Sequence, residues 1–423
     1  MIVFYRGLLL MSMLDFKHFF LERGWISLVA LAASLLFCFV VFPYLTHKAF
    51  LPYDIDGHGS LGQGLYHCGT LSFYPSCEST IERAPIYPLI VLGIIAIHPD
   101  WYPHSVVVFQ CLIFALTIQV LFSIVRSFAS LRRAQLISLA CALHPYLIWF
   151  ASRIWIELFI VFLFTLLVFT LIRFASQPSL LTAVGIGLVL GIACLTKQTF
   201  LPYILIIPLG LYLLNYKKSQ ALLILVLSLL IVTPWTVRNW KLTHHLIPVQ
   251  ILIGYNMQIG DYLVDHSPSR EWWLLAYKAN LEPIEKEAKE RLGEKSTSWQ
   301  REIYLEQKAL ANSLSHYLNK PIFLLKKLAI NAWAFWFMGG INTYYLPGLY
   351  VLFLILQGTV LLFFVEATWK IWRYDGFKNI HSLILILVWF YFLSHLPVLS
   401  ESRFSLPLIP TMMAYGFGWP FKK

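Results

Sequence analysis

The sequence predicts an all-α polytopic membrane protein. Of its 423 residues, 59% are hydrophobic and 13% are charged, whereas soluble domains carry about 45–50% apolar and about 25% charged residues. The apolar residues form runs of nearly the length that lets a helix cross a bilayer. The net charge of +11 is divided among short basic clusters between these runs, as the positive-inside rule expects. This distribution argues against a nucleic-acid partner and for membrane lipids as the surroundings.

About ten runs meet the length criterion for a transmembrane helix. The first is too long for the apolar core of a signal peptide, so we expect it to be retained. A further run, 86–98, contains Pro88 and Gly93 and is too short to span, so it is predicted to lie at the membrane interface. The predicted spans are 25–46, 104–125, 134–150, 154–172, 180–195, 200–214, 221–235, 346–366, 380–396 and 406–420.

The basic clusters predict the orientation of the chain. Pairs such as Arg132 and Arg133, and Lys217 and Lys218, occur in alternate loops. The positive-inside rule places these loops and both termini in the cytoplasm. We therefore predict one membrane domain, 1–423, in the inner (plasma) membrane, with two extracytoplasmic loops at 47–103 and 237–345. Mixed polar chemistry is concentrated on this outer side, so we expect the active site there.

The second outer loop is predicted to be largely helical. Stretches 276–291 and 300–317 have the periodicity of amphipathic helices. Asn319 is predicted to cap the next helix, with Pro321 in its first turn. That helix, 322–337, is predicted to rest on the membrane surface. Its polar and interfacial side chains are Lys326, Lys327, Trp333 and Trp336.

Two carboxylates stand out in the first outer loop. Asp54 and Asp56 lie in the stretch D-I-D-G-H-G-S-L-G-Q-G-L, shortly after the first span. A carboxylate at this position can deprotonate an acceptor hydroxyl or hold a metal ion. The alternative is that both are ordinary solvated loop acids. No histidine pattern typical of zinc and no nucleotide-binding motif is present, so we predict no cofactor and no metal, although the paired carboxylates leave a divalent ion possible.

Several ionisable residues lie at the predicted outer ends of spans. Arg83, followed closely by Pro85 and Pro88, has the planar fork that suits a phosphate, and its alternative role is to contact lipid headgroups. Glu157 is the most deeply embedded; it either serves function or forms a structural pair with Arg153 one turn away. The remaining cations at these ends form a basic rim suited to a lipid phosphate: Lys197, Arg238 and Arg403.

The six cysteines are too few for a disulfide scaffold. Cys68 and Cys77 lie in the first outer loop, where an oxidising compartment would allow them to pair; two free thiols are the alternative. The other four are predicted to be small buried residues.

An ordered set of motifs resembles the GT-C membrane glycosyltransferases. The resemblance is to bacterial relatives of the dolichyl-phosphate-mannose protein mannosyltransferases and of the lipid A aminoarabinose transferases (glycosyltransferase families 39 and 83). Lys197 and Gln198 stand where these families have Arg and Pro. The matching stretches are D-I-D-G-H-G-S-L-G-Q-G-L at 54–65, R-A-P-I-Y-P at 83–88, H-P-Y-L-I-W-F-A-S-R-I-W-I-E at 144–157, G-I-A-C-L-T-K-Q-T at 191–199, P-W-T-V-R-N-W at 234–240, G-Y-N at 254–256 and E-S-R-F-S-L-P-L-I-P at 401–410.

This resemblance implies a GT-C-type fold and an inverting sugar transfer from a polyprenyl-phosphate donor to a protein, lipid or glycan. Asp54 aligns with the family's catalytic base, and Asp56 is the fallback. Substrate binding is expected from Arg83, Tyr87, Arg153, Glu157, Lys197, Arg238, Asn239, Tyr255, Asn256, Glu401 and Arg403. The competing functions are a transporter or flippase of lipid-linked sugars, and a ligase or polymerase of the O-antigen type.

Overall fold

The computed structural model describes residues 24–46, 54, 56–266, 271–338 and 347–420. Within these ranges the chain is predominantly helical, and an isolated antiparallel bridge joins Ser72 and Ser79. The prediction of an all-α chain is confirmed. Short π-helical segments and 3-10 turns extend or connect the α-helices.

The α-helices are numbered in chain order. The first eleven are α1 Trp25–Leu36, α2 Phe42–Thr46, α3 His58–Cys68, α4 Ile86–Ile97, α5 His104–Arg126, α6 Leu131–Ala142, α7 Pro145–Ala151, α8 Glu157–Ser176, α9 Leu180–Cys194, α10 Tyr203–Leu213 and α11 Lys218–Thr243. The next eight are α12 Ile253–Asp265, α13 Trp272–Ala276, α14 Glu282–Leu292, α15 Ser298–Asn319, α16 Pro321–Phe337, α17 Pro347–Lys370, α18 Ile380–His395 and α19 Ile409–Gly418.

The described helices make this a multi-pass membrane protein. By length and composition, five stretches can cross a bilayer, and α6 with α7 makes a sixth if that bent pair counts as one span. The remaining apolar helices α4, α9, α10 and α18 are shorter. The described residues therefore do not establish the predicted number of about ten spans. The five are Trp25–Tyr44, His104–Arg126, Glu157–Ser176, Lys218–Thr243 and Tyr350–Asp375.

Two predicted spans differ from the observed helices at their prolines. Span 134–150 is not continuous, because the axes of α6 and α7 differ by 52° across the break before Pro145. Proline disfavours helical geometry in the residue before it, which accounts for a break at that point. In contrast, α11 accommodates Pro234 and continues to Thr243. Arg238 and Asn239, predicted to begin the second outer loop, therefore lie on a helix.

The main hydrophobic core joins α1 to the membrane helices from α4 to α11 and from α17 to α19. Close packing of α9 on α11 depends on glycine, since a Cβ at Gly191 would lie 2.7 Å from the Cβ of Ile231. The four free cysteines Cys38, Cys111, Cys141 and Cys194 are buried, as predicted.

A second, smaller core lies among α12, the α14 region, α15 and α16. Buried side chains such as Ile259, Leu305 and Ala309 form it. Its helices agree approximately with the predicted amphipathic stretches, because a helix needs an apolar face to pack against its neighbours.

The predicted surface role of helix 322–337 is wrong for two of its side chains. Lys327 is fully buried, and its Nζ lies 2.7 Å from an oxygen of Asp261 on α12. Trp336 is buried as well, whereas Trp333 is exposed. The predicted cap is also wrong, because Asn319 ends α15 and Lys320 occupies the position before Pro321.

Candidate active site

Asp54 lies at the amino-terminal end of α3. Its Oδ2 accepts a hydrogen bond of 2.8 Å from the backbone amide of Ser60. Gly59 makes this approach possible, because a Cβ there would lie 2.9 Å from the same oxygen and 2.5 Å from the hydroxyl of Tyr102. Amide groups at a helix start favour a carboxylate. The α3 terminus therefore holds one oxygen of Asp54 in place.

The second oxygen of Asp54 is left for another partner. Oδ1 is buried and accepts no hydrogen bond from any described residue. Burial raises the pKa of Asp54, although the backbone amides of Ser60 and Gly59 act in the opposite direction. A desolvated carboxylate with one unengaged oxygen has the properties of a general base.

Asp56 is in a different environment, because it pairs with Arg403 from the other end of the chain. The Nη1 of Arg403 lies 2.9 Å from Asp56 Oδ2. Burial opposes the charge on Asp56, but the positive charges of Arg403 and Arg83 outweigh it and lower the pKa of Asp56. Asp56 is therefore held as an ionised partner of arginine and is the weaker base of the two.

Arg403 is surrounded by three carboxylates. In addition to Asp56, Glu157 Oε1 lies 3.7 Å from its Nη1 and Glu401 Oε2 lies 3.1 Å from its Nε. The side chain of Arg403 is 15% exposed and that of Glu157 only 3%. Oxygen Oε2 of Glu157 has no hydrogen-bond partner among the described residues. Three acids around one guanidinium make a polar centre in an apolar setting, an arrangement typical of functional sites.

Two further cations approach this centre. Arg83 donates from Nε to the backbone carbonyl of Asp56 at 3.2 Å. The Nζ of Lys197 lies 4.4 Å from the centroid of the Phe404 ring, beside Arg403, and 3.4 Å from the hydroxyl of Tyr391. Burial lowers the pKa of Lys197 to about 8. Three cations from distant parts of the sequence thus lie at or near the ion pair between Asp56 and Arg403.

Tyr87 and Tyr102 line the same region. Tyr87 is buried, its ring packs edge-on against His58 at 5.5 Å, and its hydroxyl has no partner among the described residues. The hydroxyl of Tyr102 lies beside Gly59. Sequence reasoning selected Tyr87 from the R-A-P-I-Y-P motif and missed Tyr102, Tyr391 and Phe404. Phe404 lies within the matching stretch at 401–410, next to Arg403, and no sequence pattern distinguishes Tyr102 or Tyr391 from the other aromatic residues of the chain.

Other predicted site residues have structural partners elsewhere. The guanidinium of Arg153 lies over the rings of Trp149 and Phe42, at 4.8 and 5.3 Å from their centroids. Arg238 donates to the Thr80 carbonyl at 3.0 Å and stacks on a tryptophan of its own helix. These contacts stabilise the helices around the first outer loop and do not include Asp54 or Asp56.

The last three predicted site residues lie on two helices. Asn239 is near the end of α11, and Tyr255 and Asn256 are near the start of α12. The Asn239 amide donates to the carbonyls of Ile247 and Val249, both at 3.1 Å, and so holds the chain that leaves α11. The backbone amide of Tyr255 donates to Glu306 at 3.2 Å at the start of α12. Asn256 is half-buried in the first turns of the same helix.

The segment between α3 and α4 is cross-linked, and it contacts α15. A disulfide joins Cys68 and Cys77, whose Cα atoms are 5.5 Å apart. Glu302 on α15 accepts hydrogen bonds from the Thr80 hydroxyl at 2.7 Å and from the Ile81 amide at 2.9 Å. These contacts connect α15 to the chain just before Arg83. Among the described residues no group of three His, Cys, Asp or Glu side chains is arranged to hold a metal ion.

Comparison with known proteins finds similarity at the level of structure. No family model matches the sequence, and no curated protein sequence matches it. The archaeal oligosaccharyltransferase AglB from Archaeoglobus fulgidus, in complex with an inhibitory peptide and a dolichol-phosphate, superposes with a TM-score of 0.53 at 11% identity. The match covers 93% of this chain and 49% of AglB.

The chain has a GT-C fold. The apo form of the Archaeoglobus oligosaccharyltransferase gives the same result, with a TM-score of 0.52 and 12% identity over the same shares of the two chains. ArnT from Cupriavidus metallidurans bound to undecaprenyl phosphate superposes with a TM-score of 0.43 at 15% identity, over 93% of this chain and 78% of that one. The two oligosaccharyltransferase superpositions confirm the predicted GT-C-type fold, and this chain spans about half the length of AglB.

Proposed function

We propose that this protein is an integral membrane glycosyltransferase that transfers a sugar from a polyprenyl-phosphate donor to an acceptor protein, lipid or glycan. The proposal rests chiefly on the different environments of two neighbouring carboxylates. Asp54 has an unengaged buried oxygen, whereas Asp56 is paired with Arg403. The GT-C fold supports the same reading, and the AglB structure with which it is shared holds a dolichol-phosphate.

In this mechanism Asp54 accepts the proton of the acceptor hydroxyl as its oxygen attacks the anomeric carbon of the donor. The bond from that carbon to the phosphate oxygen breaks, and the phosphate leaves with the electron pair. Attack on the face opposite the phosphate inverts the anomeric configuration. The unengaged Oδ1 of Asp54 is suited to this role, because a general base must reach the transferred proton within hydrogen-bonding distance.

The departing phosphate requires positive charge, which three side chains supply. Arg403 contacts Asp56 and Glu157. Arg83 donates to the backbone carbonyl of Asp56, and Lys197 lies over the ring of Phe404 beside Arg403. Guanidinium groups suit a phosphate because they offer paired donors in a planar fork. Preorganised cations of this kind stabilise developing negative charge without reorganisation. We propose that these cations act in place of a metal ion.

We place the reaction at the extracytoplasmic face of the inner membrane, with both termini in the cytoplasm. The basic loops predicted to be cytoplasmic support this orientation through the positive-inside rule. Labelling of single cysteines introduced at Glu78 and at Lys378, with a reagent that does not cross the membrane, tests it. Labelling at position 78 alone agrees with the proposal, and labelling at position 378 alone contradicts it.

The decisive activity experiment uses a radiolabelled polyprenyl-phosphate sugar and reconstituted protein. Asp54→Asn should abolish transfer without changing the amount of folded protein, while Asp56→Asn should retain a fraction of it. Full activity of Asp54→Asn with loss in Asp56→Asn would assign the base to Asp56. Label that crosses the bilayer without reaching an acceptor would identify a flippase, and transfer only from a diphosphate donor would indicate a ligase or polymerase.

A further inference from the structure

A cavity lies between the carboxyl-terminal ends of α5 and α8, away from the candidate active site. Its volume is about 370 Å³, and Arg126 and Arg173 line it. Helix α8 begins at Glu157, in the carboxylate cluster, and Arg173 lies 16 residues further along. At about 1.5 Å per residue, this is roughly 24 Å along the helix axis. The cavity therefore lies at the opposite end of these spans from Arg403.

The charge of this cavity favours an anion. Among the residues that the structure describes, no carboxylate lines it, and both arginines are exposed. Arg126 donates one hydrogen bond of 3.2 Å to the backbone carbonyl of Ala129, which leaves most of its donors available. The carboxyl-terminal ends of α5 and α8 each contribute roughly half a negative charge through the helix dipole. Two full positive charges outweigh these partial charges, so the cavity has net positive potential.

The other walls of the cavity favour a lipid over a free anion. Phe122 and Phe169 supply apolar surface, and Ser127 and Ser176 supply hydroxyl oxygens next to the arginines. Both hydroxyl protons are donated to backbone carbonyls of their own helices. The arginines are therefore the donors for a phosphate, while the half-buried ring of Phe169 offers apolar surface on which an acyl chain could pack.

We propose that this cavity binds the phosphate of an anionic phospholipid. Basic pockets between transmembrane helices are a recognised arrangement for such headgroups. The neighbouring exposed Arg132 and Arg133 raise the local positive potential but do not line the cavity. The site is independent of the proposed sugar transfer, since it shares no residue with the Asp54 region.

The test measures retention of lipid by the full chain. Purified protein in detergent is mixed with phosphatidylglycerol or phosphatidylcholine, and bound lipid is counted by native mass spectrometry. Wild-type protein should prefer phosphatidylglycerol, and the double variant Arg126→Gln/Arg173→Gln should bind it about 30-fold more weakly, as expected for two cations near an anionic surface. The matched control Arg132→Gln/Arg133→Gln, with the same charge change outside the cavity, should keep the wild-type preference.

Three outcomes would overturn the proposal. The first is an equal loss of phosphatidylglycerol binding in the cavity variant and in the control variant, which would indicate a general effect of charge. The second is equal retention of the two lipids by wild-type protein. The third is displacement of phosphatidylglycerol by millimolar inorganic phosphate, which would indicate a site for a free anion. If the double glutamine variant does not fold, Arg173→Gln alone should still weaken binding and Arg173→Lys should largely restore it.

Discussion

The buried ion pair between Lys327 and Asp261 gives a quantitative test of the fold. The side chain of Lys327 is 1% exposed and that of Asp261 is 12% exposed. Nζ of Lys327 also donates to the Tyr317 hydroxyl at 2.7 Å and to the Met257 carbonyl at 2.9 Å. Replacing Asp261 with asparagine leaves a buried ammonium without its counter-charge. Breaking such a pair costs roughly 3–5 kcal/mol.

The lower end of this range of energies applies to Asp261→Asn, because the Lys327 ammonium keeps two neutral hydrogen-bond acceptors, the Tyr317 hydroxyl and the Met257 carbonyl. A cost of about 3 kcal/mol corresponds to a change of roughly 100-fold in an opening equilibrium. Backbone amides of α12 in Asp261→Asn should therefore exchange hydrogen about 100-fold faster, as measured by mass spectrometry of peptides from 253–265. Asp265→Asn, an exposed change on the same helix, is the matched control and should leave exchange unchanged.

The double variant Asp261→Leu/Lys327→Met completes this experiment. Apolar replacement of both members of a buried pair is often neutral, whereas loss of one member is costly. The double variant should therefore exchange more slowly than Asp261→Asn. Unchanged exchange in Asp261→Asn, or a double variant less protected than Asp261→Asn, would refute the argument that the pair is buried and coupled.

Three further predictions follow from the same contacts. Because burial raises the pKa of Asp54, the rate of sugar transfer should begin to fall on acidification at a higher pH than it would with an ordinary aspartate as the base. A pH–rate profile measures this. Burial raises the pKa of Glu302 to about 7. The contribution of this carboxyl group to stability is therefore full below about pH 4.5 and is lost as the pH rises through 7. Glu302→Gln should slow hydrogen exchange around Ile81 at pH 8 and not at pH 4. Arg403→Lys should reduce turnover roughly 100-fold, since an ammonium lacks the planar fork.

The helical character of the chain could be predicted from sequence, and several residues of the candidate site lie in motifs that the sequence alone marks. Apolar runs fix the helices because bilayer crossing leaves few alternatives. The motifs around Asp54, Arg83 and Arg403 were selected without coordinates. Their contacts were not predictable, because Asp56 and Arg403 are 347 residues apart and nothing local encodes that pairing.

Other features depended on tertiary contacts that local patterns do not report. Lys327 has the spacing of a surface cation, and its burial follows from the presence of Asp261 on α12. Pro145 and Pro234 look equivalent in sequence, yet one follows a sharp break and the other lies inside α11. Neighbouring helices decide such cases, because they can satisfy the backbone groups that a proline frees. Arg238 belongs to the motif set, but its helix directs it to the Thr80 carbonyl.

The central claim is that an acid and several cations from distant segments form one donor-phosphate site. The most direct test is an experimental structure of the protein with bound polyprenyl phosphate. We expect phosphate oxygens within about 2.7–3.2 Å of nitrogens of Arg403 or Arg83, with Asp54 facing the position of the sugar. A phosphate bound instead beside Arg238 and Lys241, which line a separate cavity of about 490 Å³, with Asp54 directed away from it, would contradict the claim.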